Sequence, residues 1–138
     1  MQIITNIEIN ASPSKIWSIL SDFDKYPNWN PFVKSVLGKV KTGNKIKVNV
    51  QGMDFEPTIL EFTKDKELRW KGQLLFKGLF DGEHSFKLVD LKNGSTRFEH
   101  SETFKGILVP LFKKKLQTDS KAGFIAMNEE LKRLSELK

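Results

Sequence analysis

The chain has no cysteine, which excludes thiol catalysis, cysteine-bound zinc, iron–sulfur clusters and a disulfide framework. Alanine is scarce as well, with three residues in 138, and a helical bundle of small, strong helix formers is not expected. The longest apolar run, Ile107 to Phe112, is six residues long and contains Pro110, whereas a membrane-spanning helix needs about 20. Residues 1–10 include Glu8 but neither a basic residue nor a long apolar core, so they do not read as a secretory signal. No Gly-rich phosphate loop, Ser–His–Asp set, paired-carboxylate signature, nucleotide fingerprint or HExxH helix is found. The expectation is a cytoplasmic protein with no metal and no cofactor.

Charge of one sign is also never concentrated. Twenty-three Lys and Arg against seventeen Asp and Glu give +6, spread over both halves of the chain. Only Lys113-Lys114-Lys115 forms a run, which reads as a solvated helix face. A nucleic-acid partner is not expected.

What the chain has in quantity is aromatic bulk, with eleven Phe and three Trp beside those three Ala. Its length fits one domain, 1–138, able to bury a core without a covalent or metal staple. Gln2 to Asn10 alternates, with Ile3, Thr5, Ile7 and Ile9 on one face, as in a half-buried strand. Ser12 then stands at an N-cap and Pro13 at the first helical position. The spacing of Ile16, Trp17 and Leu20 predicts a short helix to Ser21. The stretch 22–31, with two prolines, holds a further turn or two.

From Phe32 to Phe104 the pattern is of successive strands, with turns at Lys41-Thr42-Gly43-Asn44, Gln51-Gly52, Thr63-Lys64-Asp65-Lys66 and Lys92-Asn93-Gly94. From Val109 onward, Leu116, Phe124, Met127, Leu131 and Leu134 form a helical stripe interrupted by Gly123. A glycine there costs about 1 kcal/mol relative to alanine, which a close backbone approach or space for a ligand would offset. The fold class is therefore α+β, with about seven strands, two short helices after the first strand and one long C-terminal helix.

One register can be argued from side-chain chemistry. A two-residue Asn93-Gly94 loop mixes Lys87 and Ser85 into the apolar face. A three-residue loop with left-handed Gly94 pairs Leu88 with Phe98, Phe86 with His100 and His84 with Glu102. A one-residue slip moves every side chain to the other face, so the three-residue loop is expected, with both histidines and Glu102 turned inward.

His84, His100 and Glu102 then form a polar cluster among apolar walls. It reads as a satisfied cross-strand pair, as an anchor for a ligand's polar end, or as an acid–base group. Trp29, Phe32, Trp70, Phe76, Phe80, Phe86, Phe104, Phe112 and Phe124 are many rings with few small residues to interleave. Dense packing needs both sizes, so some of these rings are expected to line a hollow, together with Leu116.

Several stretches resemble the START-like superfamily, in particular its bacterial polyketide cyclase/dehydrase and lipid-transport branch. They are Ala11-Ser12-Pro13-Ser14-Lys15-Ile16-Trp17, the run from Asp22 to Pro31, Leu68-Arg69-Trp70-Lys71-Gly72, Gly82-Glu83-His84-Ser85-Phe86, the run from Glu99 to Gly106, and Gly123-Phe124-Ile125-Ala126-Met127-Asn128. The resemblance implies a helix-grip fold, a seven-stranded antiparallel sheet curved around the long C-terminal helix and a hydrophobic pocket. It assigns no catalytic residue, because one fold hosts carriers, receptors and cyclases.

The leading expectation is binding of a small or medium hydrophobic molecule or lipid. The expected ligand-binding set is Trp29, Phe32, Trp70, Phe76, Phe80, His84, Phe86, His100, Glu102, Phe112, Leu116 and Phe124. The alternative is a polyketide cyclase or dehydratase-type enzyme using the same His/Glu cluster. No residue decides between monomer and dimer.

Overall fold

Alternation in the first residues and the Ser12-Pro13 pair produce a strand and a capped helix in the computed structural model, which describes residues 1–73 and 78–138. Strand β1 (Gln2–Ile9) buries Ile3, Thr5 and Ile9 and turns its other side outward. Helix α1 (Pro13–Leu20) starts at Ser12, whose hydroxyl accepts from the Lys15 N–H at 3.2 Å. It buries Ile16, Trp17 and Leu20. A 3-10 turn (Phe23–Lys25) and a single helical turn, α2 (Tyr26–Trp29), follow. Tyr26 is fully buried and donates its hydroxyl to the Leu20 carbonyl.

Eight strands are present among the described residues, in two antiparallel sheets rather than one of seven. After β1 come β2 (Val33–Leu37), β3 (Lys47–Val50), β4 (Met53–Phe55), β5 (Thr58–Thr63), β6 (Glu67–Gln73), β7 (Asp81–Asp90) and β8 (Thr96–Lys105). One sheet runs β1-β8-β7-β6-β5 and the other β2-β3-β4.

The division has an identifiable cause at Pro57. Val50 pairs with Met53 and Val48 with Phe55, and Lys45 faces Thr58 in the same register further along. The single strand expected between the turns at Gln51-Gly52 and Thr63-Lys64-Asp65-Lys66 is interrupted because Pro57 has no N–H to give the ladder. The Pro57 carbonyl still accepts from the Ile46 N–H at 3.0 Å, and the Ile59 N–H donates to the Asn44 carbonyl at 2.8 Å. The two sheets therefore meet in a partly bonded seam. At the other end of that hairpin, Gln51 and Gly52 both have positive φ, 51° and 89°, as a two-residue type I′ loop requires.

The β7–β8 register is the one expected, with His84 opposite Glu102, Phe86 opposite His100 and Leu88 opposite Phe98. The Leu91 N–H donates to the Ser95 carbonyl at 3.1 Å across a loop in which Gly94 has φ 87°.

The long C-terminal helix is divided as well. Helix α3 (Val109–Lys115) passes through a π-helical turn, Leu116–Ser120, into α4 (Lys121–Ser135). Helix α4 packs on β1, β8 and α1. Its inward face buries Phe124, Met127, Asn128 and Leu131, with Phe124 against Phe32, His84 and His100. The Lys113-Lys114-Lys115 run is solvent-exposed. Among the described residues no helix is long and apolar enough to cross a membrane.

Candidate functional site

A cavity of about 570 Å³ lies between the β3–β4 hairpin, the inner face of β6–β8 and the α3–α4 junction. Its walls are largely apolar, which suits a site that takes an apolar guest. The β3–β4 hairpin supplies Val48, Val50, Met53 and Phe55, the large sheet supplies Trp70 and Phe104, and the helical arm supplies Phe112, Leu116 and Phe124. Phe80 closes one side against Phe104 and Phe112, with ring centroids 5.7 Å away in each case.

Phe32 is held in the wall by its own backbone. The Asn30 side-chain oxygen accepts from the N–H groups of Phe32 and Val33, both at 2.9 Å, and the Phe32 carbonyl accepts from the Gln51 N–H at 3.0 Å. Its ring reaches so close to α4 that a Cβ on Gly123 would lie 2.4 Å from Phe32 Cδ1. The glycine in the helical stripe is therefore explained by close approach.

The polar end of the cavity is made by His84 and Glu102. His84 is sandwiched between Trp70 and Phe32, with centroids at 5.5 and 5.9 Å. Its Nδ1 is 2.6 Å from Glu102 Oε1, and its Nε2 is 2.7 Å from His100 Nε2. His100 stacks on Phe124 at 4.2 Å, and its Nδ1 is 2.8 Å from Asn128 Oδ1. Asn128 Nδ2 donates to Thr5 Oγ1 at 2.9 Å, and the Thr5 hydroxyl donates to the His100 carbonyl at 2.8 Å.

The direction of every proton but one follows from the closed end of this chain. A backbone carbonyl only accepts, so the Thr5 hydroxyl points at it and takes the Asn128 N–H on a lone pair. Asn128 Oδ1 is then the atom facing His100, and His100 Nδ1 must hold a proton. Burial pushes the His100 pKa well below its ordinary 6.5, and the neighbouring His84 adds to that depression, against the opposing effects of Asn128 and the Phe124 carbonyl. His100 is thus neutral, its Nε2 accepts, and His84 Nε2 donates to it. One proton remains, shared across the 2.6 Å contact of His84 Nδ1 and Glu102 Oε1.

The second Glu102 oxygen, Oε2, has no hydrogen-bond partner among the described residues, and the side chain is 18% exposed. A Cβ on Gly82 would lie 3.3 Å from that oxygen. Glycine there keeps the carboxyl uncrowded on its cavity side. Each ring nitrogen of the two histidines is committed to a protein partner, so the trio is a line of hydrogen bonds and does not converge on a point.

Of the residues expected at the site, Phe32, Trp70, Phe80, His84, Glu102, Phe112, Leu116 and Phe124 line the cavity. Three others are placed elsewhere. Trp29 packs edge-on to Tyr26 at 5.4 Å on the single turn of α2 and does not line the cavity. Phe86 is fully buried beside Phe98, one pair deeper along the β7–β8 ladder. His100 lies behind His84 and reaches the cavity only through it. Phe76 lies outside the described residues.

Sequence reasoning missed the β3–β4 wall, Gly82, and the pair Thr5 and Asn128. For the last two a signal exists. Thr5 sits in the apolar register of β1, and Asn128 follows Phe124 by four residues and precedes Leu131 by three, on the buried stripe of α4.

Comparison with known proteins follows this geometry. Residues 2–136 match the family model described as polyketide cyclase / dehydrase and lipid transport. No curated protein matches the chain. Among solved structures, a hypothetical protein from Helicobacter pylori is similar at TM-score 0.83 and 18% identity, over 99% of this chain and 88% of its own. A START superfamily protein from Mycobacterium smegmatis gives 0.70 at 22% identity, over 96% and 98%. A point mutant of norcoclaurine synthase from Thalictrum, bound to a transition-state analogue, gives 0.73 at 13% identity, over 98% and 93%. At these identities the likeness is one of fold.

Proposed function

The chain belongs to the polyketide cyclase / dehydrase and lipid transport family of START-like proteins, and from that premise we propose that it binds a small or medium hydrophobic molecule between the β3–β4 hairpin, the large sheet and the α3–α4 arm. The observation that supports this reading most directly is the cavity of about 570 Å³, with largely apolar walls and a polar end at His84 and Glu102. Burying the apolar body of a guest there contributes roughly 25 cal/mol per Å² removed from water. The polar end orients its head.

The experiment is native mass spectrometry, with lipid extraction, of protein purified from its source. A co-purifying apolar molecule that is displaced when Val48 is enlarged to Trp supports the reading. A protein that is always empty and takes up no apolar ligand in titration overturns it.

One observation favours a second reading, an enzyme of the cyclase or dehydratase type: His84 Nδ1 and Glu102 Oε1 stand 2.6 Å apart at the cavity wall, within reach of a proton passing between them. Substitution of His84 by Gln separates the two readings. A carrier keeps most of its affinity, whereas an enzyme using the pair for acid–base chemistry loses turnover by about 100-fold or more.

A further inference from the structure

The hydrogen-bond line Thr5–Asn128–His100–His84–Glu102 has consequences for what the cavity accepts. Its one undetermined proton lies between His84 Nδ1 and Glu102 Oε1, at 2.6 Å. With the proton on Nδ1 the pair is an imidazolium and a carboxylate. With the proton on Oε1 it is a neutral imidazole and a carboxylic acid. In both states the proton is on the His84 side of the carboxyl, and Oε2 bears only lone pairs. The atom turned to the cavity beside Gly82 is an acceptor in either case.

We infer that the cavity selects apolar molecules whose head group donates a hydrogen bond, an amine or a hydroxyl, and discriminates against those ending in a carboxylate. This rests on the reading that the cavity holds an apolar guest. A donor head meets Oε2 directly, and a cationic one adds the attraction of the carboxylate form. A carboxylate head brings lone pairs against lone pairs and needs an additional proton. The other charged side chains lining the cavity, Lys115 and Asp119, are solvent-exposed and of opposite sign. They leave Glu102, half-buried at the cavity wall, as the discriminator.

The line also makes the preference insensitive to modest rearrangement. Reversing it, so that Oε2 became a donor, would require a proton on the cavity side of Glu102 while His84 Nδ1 stayed bonded to Oε1.

The test is isothermal titration of the whole protein at pH 7.5 with three probes of equal chain length, decylamine, decan-1-ol and decanoate. The amine and the alcohol are expected to bind at least about tenfold more tightly than decanoate, the factor that about 1.4 kcal/mol represents. In Glu102→Gln the side-chain amide still donates to His84 Nδ1 and turns a neutral carbonyl oxygen to the cavity. The amine should then lose about tenfold and the alcohol less than threefold. Gly82→Ala, which crowds Oε2 without changing any charge, should weaken the amine and alcohol together. Nitrogen-15 spectra of the histidine rings should show His100 protonated at Nδ1 and His84 protonated at Nε2 in the folded protein.

Decanoate binding as tightly as decylamine, or His84 lacking its Nε2 proton, overturns the inference while leaving the cavity reading intact. Failure of all three probes to bind overturns both.

Discussion

Replacing Gly123 by alanine sets two well-understood effects against each other. Helix propensity alone makes Gly123→Ala stabilising by about 1 kcal/mol. The added Cβ, however, would lie 2.4 and 2.9 Å from Phe32 Cδ1 and Cε1, distances at which something must move. The Gln51 side-chain amide, at 2.6 Å, is exposed and can swing away. Phe32 cannot do so freely, because Asn30 and Gln51 hold its backbone and its ring abuts His84, His100 and Phe124. Overpacking of this kind costs about 1–3 kcal/mol. The net expectation is a loss of about 1 kcal/mol, or a fall of about 3–5 °C in Tm for a chain of this size.

The assay is urea and thermal unfolding of four proteins: wild type, Gly123→Ala, Phe32→Ala and the double variant. With the ring removed, the same Gly123→Ala change should become stabilising, a coupling of about 2 kcal/mol. A higher Tm for Gly123→Ala in the wild-type background, or an equal effect in both backgrounds, refutes the close-approach explanation.

Further outcomes follow from the same core. Asn128→Leu leaves the His100 Nδ1–H without its acceptor in a buried site and should cost about 2–4 kcal/mol in urea unfolding, against about 1–2 for Thr5→Val. His100 is held neutral in the folded state while the unfolded chain takes up a proton below its ordinary 6.5. Stability should therefore fall as pH drops from 6.5 toward the depressed folded value, by at most about 1.4 kcal/mol per pH unit. His100→Asn should remove that slope, and equal slopes in the two proteins would count against a buried neutral ring.

The parts of this structure legible in the sequence are those where neighbouring residues constrain one another. Ser12 and Pro13 announce α1 because capping is local. The β7–β8 register can be read because only one pairing keeps Lys87 and Ser85 off the face shared by Phe86 and Phe98. Gly123 could be flagged as a close approach, although not which ring makes it, since Phe32 lies 91 residues away in the chain. Long separation also hides the β3–β4 wall: Val48 and Val50 announce a half-buried strand but not the helix they will face. Aromatic abundance was a poor guide for Trp29 and Phe86, because a ring fills a core or a void equally well by composition. The interruption at Pro57 was readable from its missing N–H. It is masked because apolar residues flank it on both sides, Phe55 before it and Ile59, Leu60 and Phe62 after it, as they would in one strand.

That interruption has a mechanical consequence. At Pro57 the smaller sheet hangs from the larger by a few backbone bonds, while the five-stranded ladder stays continuous from β1 to β5. The hairpin bearing Val48, Val50 and Met53 is held by that seam, by its ladder with β2 and by the bond from the Gln51 N–H to the Phe32 carbonyl, so opening it is expected to cost less than melting the whole molecule.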